Sequence, residues 1–313
     1  MDMMTSELSR RSMLGLFSLA AALPLAGCAG SARAGAAAPG TSAPEAGAWQ
    51  TRHVASKTDG LDIVLHEAGR GKPLVIVHGG GSNAEPYRRL GDMLTAHFRV
   101  VRVERRNYGV SGTRASPITW EQEVGDVGAV IEAVGGRCHL FGHSAGALVS
   151  LHVARRRPEL VDRLALYEPP LLGGGPGVVA VKAKFDALIA EGRKDEALIL
   201  IYGHFVGLPE DVVRASIGTR GPDVYGLLPG ASADLEALTT LDTDPADWAG
   251  IKLETLLLVG EKSAAHPLLD SSAALAKVLA NSRTVTLPGQ AHSAQVSAPD
   301  LVAAAIDPWF RAS

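Results

Sequence analysis

The chain lacks the marks of several large classes of protein. Two cysteines in 313 residues exclude a disulfide framework and an all-cysteine zinc site. Lys and Arg number 30 against 33 Asp and Glu, a net charge of −3, so the basic excess of a nucleic-acid binder is missing. No apolar run reaches the ~20 residues that a membrane-spanning helix needs. There is no Gly-x-Gly-x-x-Gly opening a helix and no Gly-Lys-Ser/Thr to cradle a phosphate. No motif implies a metal or an organic cofactor, and there is no internal repeat. What is present is an ordinary globular composition, 46% hydrophobic and 20% charged.

The first residues read as an export signal. Arg10 and Arg11 precede an apolar stretch from Met13 to Ala26, too short to span a bilayer and suited to a signal-peptide core. Ser9-Arg10-Arg11-Ser12-Met13-Leu14 resembles a twin-arginine export motif. Leu25-Ala26-Gly27-Cys28 resembles a bacterial lipobox, in which the cysteine thiol is acylated and cleavage falls just before it. The expectation is a signal peptide over residues 1–27, lipidation at Cys28, and a protein on the outer face of the bacterial cell membrane. Its only membrane contact would be that anchor, since acyl chains gain ~0.8 kcal/mol per buried CH₂. Residues 28–48, rich in Ala, Gly, Ser and Pro, cannot build a core and read as a flexible tether.

Beyond the tether, strands alternate with helices. Short apolar runs occur at Leu74–Val77, Val100–Val103, Cys138–Phe141, Leu164–Tyr167, Thr255–Val259 and Thr284–Leu287, with an earlier strand at Leu61–His66. Runs of this kind suit parallel strands buried on both faces. Helical patterns lie at Asn83–Ala96, Trp120–Val134, Ala145–Arg157, Pro267–Ala280 and Ala298–Arg311. The alternation predicts an α/β fold with a mostly parallel, doubly wound sheet. The long connection after Tyr167 carries helical patterns at Val181–Glu191, Asp195–Phe205 and Glu210–Ile217. It reads as a helical cap over 171–250, inserted into a core of 49–170 and 251–313. Cys138 is expected to be a buried, inert thiol.

Three motifs carry chemistry, each beyond a strand. Gly142-His143-Ser144-Ala145-Gly146 follows Cys138–Phe141 and opens a helix, the context of a nucleophile elbow that exposes the Ser144 hydroxyl. Val77-His78-Gly79-Gly80-Gly81 runs from a strand into glycines. There the N–H groups of Gly80 and Ala145 can converge on one substrate oxygen, with His78 shaping the turn. Leu287-Pro288-Gly289-Gln290-Ala291-His292 places a histidine after the last strand, where it can act as general base for Ser144. Of the other histidines, His139, His143 and His152 are expected to pack or to be solvated, without chemistry.

Together these residues make the sequence resemble an α/β-hydrolase from Gly71 to Phe310. The resemblance includes Glu104-Arg105-Arg106-Asn107-Tyr108-Gly109-Val110-Ser111, which is similar to that family's Asp-Arg-Arg-Gly-Tyr-Gly-x-Ser turn. It implies the triad order Ser, acid, His and a cap between the sixth and seventh strands. Many members place the acid in a Gly-x-x-Asp pattern after the seventh strand. Here that segment is Gly260-Glu261-Lys262-Ser263, so serine stands at the acid's position. Two substitutes remain: Glu261, two residues early, and Glu168, directly after the sixth strand and before Pro169 and Pro170. Some branches, including certain haloalkane dehalogenases, carry the acid at that second place, and Glu168 is preferred. A serine nucleophile implies acyl transfer on a small ester-like substrate, as in a serine esterase. A cofactor-free perhydrolase, a C–C hydrolase and a non-catalytic binding lipoprotein are the alternatives on the same fold. Oligomeric state is not legible in the sequence.

Overall fold

The computed structural model describes residues 48–114, 117–263 and 266–312. The expected signal peptide, Cys28 and the tether before residue 48 lie outside them. Eight strands form one sheet in the order β1-β2-β4-β3-β5-β6-β7-β8. They are β1 (Gln50–Ala55), β2 (Asp62–Gly69), β3 (Pro73–Val77), β4 (Arg99–Val103), β5 (Cys138–His143), β6 (Val161–Tyr167), β7 (Thr255–Gly260) and β8 (Ser282–Leu287). β1 and β2 pair antiparallel, as do β2 and β4, and the remaining pairs are parallel. This is the α/β-hydrolase fold expected from the sequence, with an edge strand that the sequence pattern did not show. β1 reads Gln-Thr-Arg-His-Val-Ala and is half exposed along its length, so it carries no apolar run to detect.

The central strands explain the legibility of the rest. Every residue of β5 is buried, as a strand covered by helices on both faces must be. One face packs under α2 (Trp120–Val134) and α3 (Ala145–Arg156). The other packs under α1 (Arg88–Leu94) and the C-terminal helix, Pro299–Arg311. α2 starts at Thr119, whose side chain and that of Gln122 close a reciprocal capping box. Cys138 is buried in β5, and desolvation pushes its thiol pKa up.

Between β6 and β7 the chain is helical: α4 (Val179–Ala190), α5 (Lys194–Val206), α6 (Glu210–Arg220) and α7 (Leu228–Thr239), the last two linked by the 3-10 turn Gly221–Leu227. Phe185, Leu198, Val213 and Leu235 of these helices are buried in the same cluster as the α2–α3 face of the sheet. The chain returns through β7, α8 (His266–Val278), β8, the short helix α9 (Ala294–Ser297) and α10 (Pro299–Arg311).

Candidate active site

The C-terminal ends of the parallel strands β3, β5, β6, β7 and β8 converge, which is where sites of open α/β sheets form. Ser144 stands between β5 and α3 with φ 54° and ψ −124°. A non-glycine residue at such angles costs ~1–3 kcal/mol and marks a site that its surroundings over-determine. Its N–H is held by the Tyr167 carbonyl at 2.9 Å. The flanking glycines are steric necessities: a Cβ on Gly146 would strike the Val77 and His78 carbonyls, and one on Gly142 would strike Ser150 and the Gly146 carbonyl. The elbow therefore packs directly on the glycine turn after β3.

That turn is fixed by side chains on both sides. The Gly79 N–H donates to Tyr87 Oη at 3.0 Å, and the Gly81 N–H donates to Tyr108 Oη at 2.9 Å. Tyr202, from α5, donates its hydroxyl to the Gly81 carbonyl at 2.7 Å. The His78 ring accepts the Arg105 backbone N–H on Nε2 at 3.1 Å, so its proton sits on Nδ1, which donates to the Gly79 carbonyl at 2.8 Å. Burial, reinforced by the Arg105 charge, pushes the His78 pKa down to about 4 and keeps this neutral form. A peptide plane carries its C=O and N–H in opposite directions, so holding the Gly79 carbonyl aims the Gly80 N–H the other way. Among the described residues the Gly80 and Ala145 N–H groups have no hydrogen-bond partner. The two residues are neighbours: a Cβ on Gly80 would lie 3.5 Å from that of Ala145, and 2.7 Å from Asp234 Oδ2.

His292 lies on the loop between β8 and α9 and is buried. Its Nδ1 is 2.7 Å from Glu168 Oε2. Glu168, at the end of β6, is 0% exposed and has φ 47°. Its other oxygen, Oε1, accepts from the Gly260 N–H and from Ser263 Oγ, both at 2.6 Å. Ser263, at the position where the resemblance leads one to expect an acid, thus holds the Glu168 carboxylate. Glu261 is elsewhere: it is exposed, and its carboxylate accepts the Gly289 N–H at 2.6 Å. The structure brings Glu168, and not Glu261, to His292.

Several side chains lie within the quoted motifs, but nothing in the sequence marked their partners. Arg105, from the loop after β4, bonds Glu123 of α2 at 2.7 Å and Asp234 of α7 at 2.5 Å. Tyr108 donates to Asp234 at 2.7 Å. Burial and the Asp234 charge push the Tyr108 pKa well above its usual range, so it remains a donor. His143, expected to pack or be solvated without chemistry, is hydrogen-bonded at both ring nitrogens, to Tyr87 Oη at 2.6 Å and to the His292 carbonyl at 2.8 Å. Its ring centroid is 4.6 Å from that of His292. His152 does pack, stacked on Trp120 at 4.3 Å.

Comparison with known proteins points one way. Residues 74–305 match the sequence model of the alpha/beta hydrolase family. A solved alpha/beta hydrolase from Sphaerobacter thermophilus is 31% identical, with TM-score 0.70, covering 83% of this chain and all of that one. A pimeloyl-[acyl-carrier protein] methyl ester esterase of Methylococcus capsulatus is 34% identical over 39% of this chain and only 48% of its own length. A 2-(acetamidomethylene)succinate hydrolase of Mesorhizobium japonicum is 27% identical over 79% of this chain and 90% of its own.

Proposed function

The chain belongs to the alpha/beta hydrolase family, and from that membership we propose that it is a serine hydrolase cleaving a carboxylic-ester-like bond through an acyl-enzyme. The observation that carries this reading is the buried His292–Glu168 pair at 2.7 Å, together with a serine held at a strained φ of 54° and preceded by His143, whose ring centroid is 4.6 Å from that of His292. A carboxylate on Nδ1 fixes the proton there and leaves Nε2 free to take another.

In this reading His292 Nε2 removes the Ser144 hydroxyl proton as Oγ attacks the substrate carbonyl carbon. The carbonyl oxygen becomes an oxyanion facing the Gly80 and Ala145 N–H groups. The tetrahedral intermediate collapses, the C–O bond to the alcohol breaks, and His292 returns its proton to the departing oxygen. His292 then takes a proton from water as it attacks the acyl carbon, the bond from that carbon to Ser144 Oγ breaks, and His292 returns the proton to Oγ, which frees Ser144 and the carboxylic acid. A small ester-like molecule is the expected substrate. p-Nitrophenyl esters of increasing acyl length test the class: time-dependent release of nitrophenol that vanishes in Ser144→Ala supports it. Equal release by both proteins contradicts it.

We also propose, from Arg10-Arg11 and the Leu25–Cys28 run, that the protein is exported and anchored by lipid on Cys28. Cell fractionation of Cys28→Ala tests this. Loss of the protein from the membrane fraction is expected, and unchanged fractionation contradicts it.

A further inference from the structure

Next to Ser144 stands a second buried imidazole, that of His143. A carbonyl oxygen only accepts, so the His143 Nε2 that faces the His292 carbonyl carries the proton. Nδ1 is then an acceptor, and the Tyr87 hydroxyl donates to it. Tyr87 Oη in turn accepts the Gly79 N–H. The result is one directional chain: Gly79 N–H to Tyr87 O–H to His143 to the His292 carbonyl. It joins three segments that leave the sheet at different strands, namely the glycine turn after β3, the elbow after β5 and the loop after β8.

We propose that His143 and Tyr87 are positioning residues, which lock the Gly79–Gly80 turn and the His292 loop to the elbow so that the oxyanion donors and the base keep register with Ser144. This role rests on the serine-hydrolase reading. The Gly79 N–H and the His292 carbonyl belong to the backbone on which the Gly80 donor and the His292 ring are carried. An error of about 1 Å in such groups can cost ~10²-fold in rate. The chain also needs His143 neutral. Burial and the neighbouring His292 push its pKa well down, so no second charge opposes the imidazolium that forms on a ring 4.6 Å away.

The test is the rate at which a fluorophosphonate probe labels Ser144, measured on folded protein together with Tm. Tyr87→Phe deletes one oxygen and breaks the first two links. His143→Gln sets an amide N–H near the Nε2 place, able to reach the His292 carbonyl, with no acceptor for Tyr87. His143→Asn does the converse. Tyr87→Phe and His143→Gln should each slow labelling about tenfold, and the double variant should be no slower than the worse single, because both cut one chain. His143→Asn, which frees the His292 loop, should be slowed more. Singles that label at the wild-type rate with only Tm lowered would overturn the role, as would losses that multiply in the double variant. Tyr87→Phe decides the matter if the histidine variants do not fold. A wild-type protein that the probe leaves unlabelled contradicts the serine-hydrolase reading itself, a result distinct from the others.

Discussion

Replacing Glu168 by Gln changes one oxygen for an NH₂ group, yet the geometry predicts a large loss. The wild-type carboxylate accepts three hydrogen bonds, two on Oε1 from Gly260 N–H and Ser263 Oγ and one on Oε2 from His292. An amide has only one accepting oxygen. If that oxygen faces His292, the new NH₂ meets the Gly260 N–H, which cannot turn away. If it faces Gly260 and Ser263, two bonds survive and the NH₂ faces His292 Nδ1. The second arrangement is favoured, by about 1 kcal/mol for each neutral bond retained. It forces the His292 proton onto Nε2, where it cannot accept from Ser144. Loss of the correct tautomer in such a triad costs ~10⁴ in kcat, and a loss of ~10³–10⁴ is expected here with the fold intact. Adding Ser263→Ala removes one of the two bonds that favour the wrong orientation. The double variant should recover about fivefold, the equivalent of ~1 kcal/mol. Steady-state kcat on an ester that the wild type hydrolyses measures both. A Glu168→Gln protein that is folded and within tenfold of wild type would refute the reasoning.

Three further outcomes are expected. Glu261→Gln should leave kcat within about twofold, since its carboxylate meets Gly289 at the surface. A loss matching that of Glu168→Gln would transfer the acid's role to it. Gly146→Ala should destabilise by roughly 3 kcal/mol or prevent folding, because the new methyl meets backbone of Val77 and His78; an unchanged urea midpoint would contradict the packing. Burial holds His78 and His139 at about 4 and His152 at about 3, below the ~6.5 of an unfolded histidine. The unfolded chain therefore binds more protons, and stability present above pH 6.5 is lost as pH falls towards those values. The slope approaches ~4 kcal/mol per pH unit for three groups, so the urea midpoint should drop between pH 7 and 5. A flat profile would mean that these rings are protonated in the fold.

The central parallel strands, such as β5, were legible because burial on both faces writes them as apolar runs; β8, an edge strand largely open to solvent, showed only through the short run Thr284–Leu287. β1 was not legible, because an exposed edge strand such as Gln50–Ala55 needs no such run. In the long connection α4, α5 and α6 were visible as helical patterns. α7 escaped because it begins Leu-Pro-Gly, and those residues read as a turn until Gly230 is seen against the Tyr108 ring. At the site, Ser144, the glycine turn and His292 were carried by strand-end motifs. Glu168 was reached because an acid directly after an apolar strand emerges at the same sheet edge. The contacts that hold them had no local pattern: Tyr202 meets Gly81 across 121 positions of sequence, and Tyr108, although part of a quoted turn, meets Asp234 across 126. Such contacts exist only after the helices between β6 and β7 fold onto the core. A histidine hydrogen-bonded at both nitrogens, such as His143, is also indistinguishable in sequence from one that merely fills space.

The central claim, that Ser144 is an activated nucleophile, is tested most directly by identifying the residue modified by a fluorophosphonate probe. Wild-type protein should gain one phosphonyl group, mapped by peptide mass spectrometry to Ser144. Ser144→Ala should stay unmodified at equal fold. No modification of the wild type, or modification that persists at another serine in Ser144→Ala, would contradict the account.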